Sequence, residues 1–271
     1  MSDLHKTIQQ AVDDGSLLQS SADNLLQLLG STDNPVYRSS VAELLSAQAW
    51  AELNDRFFKT LAFGTGGIRG RSIGRVVTGA EQGAHNSGCC PENPCVGTNA
   101  MNFYNVSKAT QALVTYIKAH LATSAVSERG SLSIAHDTRY FSRQFAELAA
   151  RVASELGCDV YLFESARSTP ELSFAVRHTG STAGIVITAS HNPSHDNGYK
   201  VYFSDGAQVV EPHASGIIQC FNEIAGEKYE VLPAAEQGKV IPLGADFDEI
   251  YKTRLRALVL RPEVVTAEKD L

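Results

Sequence analysis

The sequence predicts an α/β fold: a largely parallel, mixed sheet covered by helices on both faces, with an N-terminal helical extension. Three observations predict it. From residue 103 onward, stretches of helical period alternate with short apolar runs, the pattern of strands joined by covering helices. One of these runs, GIVITA at 184–189, is apolar on both faces, as a central strand of a covered sheet must be. The 271 residues, 43% of them hydrophobic, suffice for one large or two small cores.

Leu4, Ile8 and Val12 recur at helical spacing, Leu25 to Leu29 follow, and Ser40 with Glu43 reads as a capping box before Leu44, Leu45 and Trp50. Residues 1–62 are therefore expected to form the helical extension. Glycines crowd between Phe63 and Gly74, and Gly79 to Gly97 is a loop of Gly, Asn, Cys and Pro without periodicity, of a length that is usually functional or mobile. Phe103, Val106, Leu113, Val114, Ile117 and Leu121 mark a helix, SLSIAH at 131–136 a strand, and Ser142 caps a helix closed by Gly157. DVYLF at 159–163 is the next strand; Thr169 with Pro170 starts another helix, ended by Gly180. After GIVITA, YKVYF at 199–203 adds a strand of undetermined direction, and Ile217, Ile218, Phe221 and Ile224 mark a further helix. The α/β domain is thus expected over 63–238. In 239–271 one strand and one helix precede the charged AEKDL; two elements cannot make a core, so this segment is expected to open a second, incomplete domain.

A charge of −7 opposes the basic footprint that phosphate-backbone contact needs, so nucleic acid is not an expected partner. No apolar run approaches the ~20 residues of a membrane span, and the N-terminus lacks the apolar stretch of a signal peptide. The expectation is a soluble, cytoplasmic protein without a membrane partner. Cysteines 89, 90, 95, 158 and 220 are odd in number and unevenly spread, which does not suggest a disulfide framework. Cys89, Cys90 and Cys95 with His85 offer four soft ligands, but no Cys-x-x-Cys pair is present. An inert or redox-tolerant loop is the favoured reading, zinc the alternative.

Residues just past the strand carboxyl ends share one rim, where open α/β sheets bind ligands: Asp137 and Arg139, Ser165 to Thr169, and Ser190 to Pro193. The sharpest motif is TASHNPSHDNGYK, 188–200, which leaves a buried strand, turns through Ser190, His191, Asn192 and Pro193, and returns through Asn197-Gly198 to Lys200. Taken alone it reads as a polar turn with Asn-Gly at a hairpin. FGTGGIRG at 63–70 sets Arg69 among Gly64, Gly66, Gly67 and Gly70, where backbone amides can approach an anion beside a guanidinium; alone it reads as a tight turn. It is no dinucleotide fingerprint, because Arg69 stands where the third glycine belongs, and no P-loop, because no Gly-Lys-Ser/Thr follows. Arg139, in HDTR, can touch phosphate or pair with Asp137. A hydrolase triad gains nothing from Ser190 and His191, since Gly-x-Ser-x-Gly is absent.

Together, FGTGGIRG and TASHNP resemble the α-D-phosphohexomutase superfamily, the phosphoglucomutase and phosphomannomutase group, in residues, order and strand-to-loop context, over about 55 to 271. The resemblance implies the first domain of that architecture. It implies that Ser190 matches the serine that carries and donates the phosphoryl group, Lys200 the lysine closing Asn-Gly-x-Lys, and Arg69 the active-site arginine, with His191 and Asn192 flanking the phosphoserine and Gly66, Gly67 and Arg139 near phosphate. It implies reversible transfer between the 1- and 6-positions of a hexose phosphate through a sugar bisphosphate, which is also the activator, with Mg²⁺ bound on this chain only through the phosphate of Ser190. The chemistry of the residues agrees: a phosphoserine carries about −1.5 to −2 charges at neutral pH and needs countercharge before an anionic sugar approaches, and phosphoryl transfer depends on positioning and electrostatics.

The family's Asp-Gly-Asp-x-Asp-Arg metal loop, sugar-recognition loop and terminal phosphate loop are not in this sequence. The acidic string Asp246-Phe247-Asp248-Glu249 suits a first helical turn. The expectation is an amino-terminal part of a phosphohexomutase, inactive without carboxy-terminal domains of the same protein. The alternatives are a non-catalytic phosphosugar-binding module, or a phosphopentomutase, phosphoglucosamine mutase or bisphosphate synthase sharing these motifs.

Overall fold

A computed structural model describes residues 2–64, 66–86, 88–123 and 129–267. Thr65 of the glycine-rich run, Ser87 of the cysteine loop and residues 268–271 of the charged tail lie outside the described residues. Six strands form one mixed sheet in the order β1-β5-β4-β2-β3-β6: β1 (Gly67–Arg71), β2 (Ser131–His136), β3 (Asp159–Phe163), β4 (Ala183–Ile187), β5 (Asp196–Phe203) and β6 (Val240–Leu243). The β4–β2, β2–β3 and β3–β6 pairs are parallel, whereas β5 runs antiparallel to both β4 and β1. This settles the direction of YKVYF, and it makes GIRGR, expected as a loop, an edge strand.

The helices are α1 (Ser2–Asp13), α2 (Gln19–Ser31), α3 (Pro35–Ser46), α4 (Trp50–Phe57), α5 (Gly79–Gln82), α6 (Phe103–Thr123), α7 (Ser142–Glu155), α8 (Thr169–Thr179), α9 (His213–Glu223), α10 (Ala245–Arg256) and α11 (Pro262–Ala267). One sheet face, through Leu132, Ile134, Val160, Ile185 and Ile187, packs on α6, α7 and α9 by way of Val106, Leu113, Phe145, Ile217 and Phe221. The opposite face, through Ala135, Phe163 and Val186, packs on Leu172 and Val176 of α8 and Phe247 of α10. Burial of the Val, Leu, Ile and Phe side chains among these stabilises the fold by about 1.5–3 kcal/mol each, so the sequence's apolar runs become the sheet's interior. Helices α1 to α4 enclose their own cluster, including Leu25, Leu28, Val41, Leu44, Leu53 and Phe57.

Several local expectations shift. The capping box is not Ser40 with Glu43, which lie inside α3 behind an Asn34 cap; it is Thr78 with Glu81 at α5. Ser40 instead donates to Glu81 at 3.2 Å, and Glu43 accepts from the amides of Gly79 and Ala80. Helix α8 is capped by Ser168, not Thr169, and Ser142 is the first residue of α7, its hydroxyl donating to Asp137 at 2.6 Å. The long loop is held: the Arg56 guanidinium, 1% exposed, reaches Glu52 at 2.8 Å and Glu81 at 2.5 Å, and Glu81 accepts the amide of Val96 at 2.8 Å.

The segment expected to open a separate domain beyond 238 begins with a strand of this same sheet. Strand β6 pairs with β3 from Val160↔Val240 to Phe163↔Leu243, and Phe247 stacks edge-on against Phe163 at 5.6 Å. Two elements without a core of their own use the one beside them, and the sheet carries across the expected boundary.

Candidate functional site

The rim at the carboxyl ends of β2, β3 and β4 bounds an open cleft of about 750 Å³, lined among others by Asp137, Arg139, Arg167, Thr188, Ser190 and Asn192. That volume lies within the ~300–1,000 Å³ usual for small-molecule sites. Past β4 the chain turns sharply, and Ser190 takes a left-handed conformation with φ +57°, which costs a non-glycine residue about 1–2 kcal/mol. Its amide donates to Thr188 Oγ1 at 2.9 Å. The chain then returns as β5, on which Lys200 pairs with Val186 of β4 and Gly67 of β1. Lys200 Nζ donates to Ser190 Oγ at 3.1 Å.

Three of the expected residues thus converge. Arg69, on β1 opposite Gly198, donates from Nη1 to Asn192 Oδ1 at 3.3 Å, so two cations and the serine hydroxyl share one turn. Asn192 passes the restraint to Asp196, donating to Oδ2 at 3.1 Å. Burial holds the Lys200 ammonium below the ordinary lysine range, and the neighbouring Arg69 charge lowers it further, against the pull of Asp137. We expect Lys200 to lose its proton at lower pH than a solvated lysine, and Arg69→Gln to move that titration upward, as read from lysine side-chain resonances in isotope-edited NMR. Because the folded state binds the proton less tightly than the unfolded one, stability rises with pH between the two pKa values. Lys200→Met removes that rise.

Other expected residues stand apart. His191 is exposed, and among the described residues its ring has no hydrogen bond or ion pair, so only its neighbourhood to Ser190 associates it with the site. The amide of Gly67 is engaged by the carbonyl of Gly64 at 3.1 Å and the carbonyl of Gly66 by the amide of Val201 at 3.1 Å. A Cβ on Gly67 would stand 1.8 Å from the carbonyl oxygen of Tyr199; close strand approach, not an open phosphate cradle, explains that glycine. Asn197-Gly198 is no hairpin turn either. Both lie in β5, where Asn197 is fully buried and donates to Tyr140 O and Ser142 Oγ at 3.0 and 2.9 Å, and a Cβ on Gly198 would meet Thr188 O at 2.7 Å. Arg139, expected near phosphate, spends its N–H groups on backbone carbonyls of the serine turn.

Sequence reasoning gave Asn197 and Ser142 other roles, a turn residue and a helix cap, and left Arg167 unnamed within the rim segment 165–169. Arg167 holds Asp248 of α10 through two 2.7 Å bonds, from Nε and Nη2, and thereby ties the rim to α10. The signal for it was the presence of an arginine in the rim segment 165–169. Among the described residues no group of three or more His, Cys, Asp or Glu side chains converges as a metal site. In the cysteine loop, burial pushes the Cys95 thiol up to about 12 despite nearby Arg56, which disfavours the thiolate that zinc requires.

The family model described as phosphoglucomutase/phosphomannomutase, alpha/beta/alpha domain I, matches residues 95–228. A phosphopentomutase from Mus musculus is 36% identical over 70% of this chain and 28% of its own length. A phosphoglucomutase from Staphylococcus epidermidis is 36% identical over 82% of this chain and 36% of its own. Among solved structures, a putative phosphomannomutase from Thermus thermophilus superimposes with a TM-score of 0.52 at 25% identity, over 74% of this chain and 36% of that one. The chain therefore spans about a third of the length of these relatives.

Proposed function

Since the chain belongs to the α-D-phosphohexomutase superfamily, the phosphoglucomutase and phosphomannomutase group, we propose that Ser190 relays a phosphoryl group between the 1- and 6-positions of a hexose phosphate. The observation that carries this reading is the 3.1 Å bond from Lys200 Nζ to a serine held in a left-handed turn beside Arg69. The phosphoryl group begins on Ser190 Oγ. A sugar hydroxyl attacks the phosphorus, the bond from phosphorus to Oγ breaks, and Lys200 gives its proton to the departing Oγ while taking up the one that the attacking hydroxyl releases. The product is a sugar bisphosphate, which reorients within the cleft. Ser190 Oγ then attacks the other phosphate, the bond from phosphorus to the sugar oxygen breaks, Lys200 gives a proton to that oxygen and takes the one from Oγ, and the phosphoserine is restored.

Arg69 offsets charge on the transferring group, and electrostatic stabilisation of this kind usually contributes most to the rate of such reactions. Its lowered pKa suits Lys200 for the proton transfer. A magnesium ion, when bound, would add countercharge on the phosphoryl oxygens. This chain offers it the phosphate of Ser190 and, among the described residues, no carboxylate cluster, so its ligands would come from other segments of the protein, as would sugar recognition. The relatives carry phosphopentomutase as well as phosphoglucomutase names; hexose is the substrate we propose, and a pentose phosphate is the alternative within the enzyme class. Among the described residues no helix is long and apolar enough to cross a membrane. All five cysteines are free, which suits a reducing, cytoplasmic compartment.

Phosphopeptide mapping of the protein purified from its own cells tests the reading. We expect one phosphoryl group, on Ser190. Phosphosugar binding that is lost in Arg69→Ala, with Ser190 unmodified, would overturn the relay in favour of a binding module.

A further inference from the structure

The five N–H groups of a guanidinium cannot accept hydrogen bonds, and those of Arg139 all face protein. Nη2 donates to the carbonyls of Ser190 and Asn192, both at 2.7 Å. Nη1 donates to those of Pro193 at 2.7 Å and Asp196 at 3.1 Å. Nε lies 3.3 Å from Asp137 Oδ2, with the Arg139 side chain 14% exposed. Asp137 is itself fixed, its Oδ1 accepting from the Arg139 amide at 2.9 Å and from Ser142 Oγ at 2.6 Å. Ser142 Oγ in turn accepts from the buried Asn197 at 2.9 Å. The clamp thus rests on β2, α7 and β5 together.

Carbonyl and amide point in opposite directions across a planar trans peptide. With the carbonyls of Ser190 and Pro193 drawn onto Arg139, the amides of His191 and Ser194 face away from it. Three other amides of the turn are engaged: Ser190 N by Thr188 Oγ1, Asn192 N by Ala189 O, and Asp196 N by Pro193 O. Those of His191, Ser194 and His195 have no acceptor among the described residues, and of these three residues Ser194 lines the cleft with Ser190. Backbone amides that a turn leaves open can receive an anion.

We infer that Arg139 is a positioning residue: by gathering four carbonyls of the 190–196 turn it holds Ser190 toward Lys200 and leaves the amides of His191 and Ser194 for the phosphoryl oxygens. The inference rests on the phosphoserine reading and gives that phosphate backbone partners. A turn whose carbonyls faced the phosphate would repel it.

The test is a titration of the full chain with inorganic phosphate, read by amide NMR, in wild type, Arg139→Lys and Arg139→Ala. Lysine keeps the charge and loses the fork, so it isolates geometry. We expect the His191 and Ser194 resonances to move downfield in wild type. In Arg139→Lys they should stay flat and phosphate should bind about tenfold more weakly or worse, the scale of one hydrogen bond to a charged group. Added guanidinium ion should restore both in Arg139→Ala, a rescue that mere loss of stability does not give. Equal phosphate shifts and affinity in wild type and Arg139→Lys overturn the inference, as does phosphate that shifts neither amide in wild type. The phosphoserine reading fails separately, when cell-purified protein carries no phosphate on Ser190 while these amides respond as expected.

Discussion

Ser190→Ala is expected to remove mutase turnover, by about ten-thousandfold or more, when conversion of glucose 1-phosphate to glucose 6-phosphate is followed with the protein as its cells make it. Removing a nucleophile that acts as one unit with its partners costs rate on that scale. Alanine takes away the atom proposed to carry the phosphoryl group and leaves the Lys200 proton without its 3.1 Å acceptor. The fold loses little. Ser190 is exposed, and its left-handed φ of +57° burdens serine and alanine alike, so the change in stability should stay near the ±0.5 kcal/mol of an ordinary surface substitution. Phosphosugar affinity should also persist, because Arg69 and the Arg139-held turn do not depend on the serine oxygen. An unchanged melting temperature with turnover gone locates the defect in chemistry; turnover within tenfold of wild type defeats the relay.

The sheet was legible because its central strands are apolar on both faces and the helices between them carry period and punctuation: β2, β3, β4 and the helices between them stand close to where the sequence puts them. Ser190, Lys200 and Arg69 were singled out through the resemblance carried by FGTGGIRG and TASHNP, and β1, β4 and β5 bring them to one turn. What the sequence concealed is tertiary. Arg139 invited a phosphate role because an arginine at a strand end has donors to give, and nothing in HDTR shows that the carbonyls of a turn 51 to 57 residues later take them. Asn197-Gly198 carries the local signature of a turn, yet here Asn197 is a buried donor and Gly198 a gap for the Thr188 carbonyl. Strand β6 looked orphaned because its partner, β3, lies some eighty residues earlier. Ser40 and Glu43 have capping-box spacing, but that spacing also occurs within a helix, and only contact with α5 separates the two cases.

The largest loss of stability is expected from Arg56→Met. Arg56 joins α4 to Glu81 of α5 and to the carbonyls of Val76 and Val96, binding both ends of the long loop. Its ion-pair partners, Glu52 and Glu81, are 4% and 1% exposed. Methionine fills much of the volume but strands two carboxylates, and breaking a buried pair from one side costs about 3–5 kcal/mol, on the order of 10 °C in melting temperature for a chain of this size. Arg56→Met with Glu52→Gln and Glu81→Gln should recover most of the loss at neutral pH, which cavity formation alone would not allow. The damage also has a path to the serine turn: Cys95 donates its amide to Ser72 O at 2.9 Å, and Ser72 donates its own to His195 O at 2.7 Å. Hydrogen exchange in Arg56→Met should accordingly speed up at residues 72 and 95 and extend into 190–196, while the β2–β3 core keeps the protection set by global stability. A single variant with wild-type melting temperature and exchange would show that the loop is held by something other than this arginine.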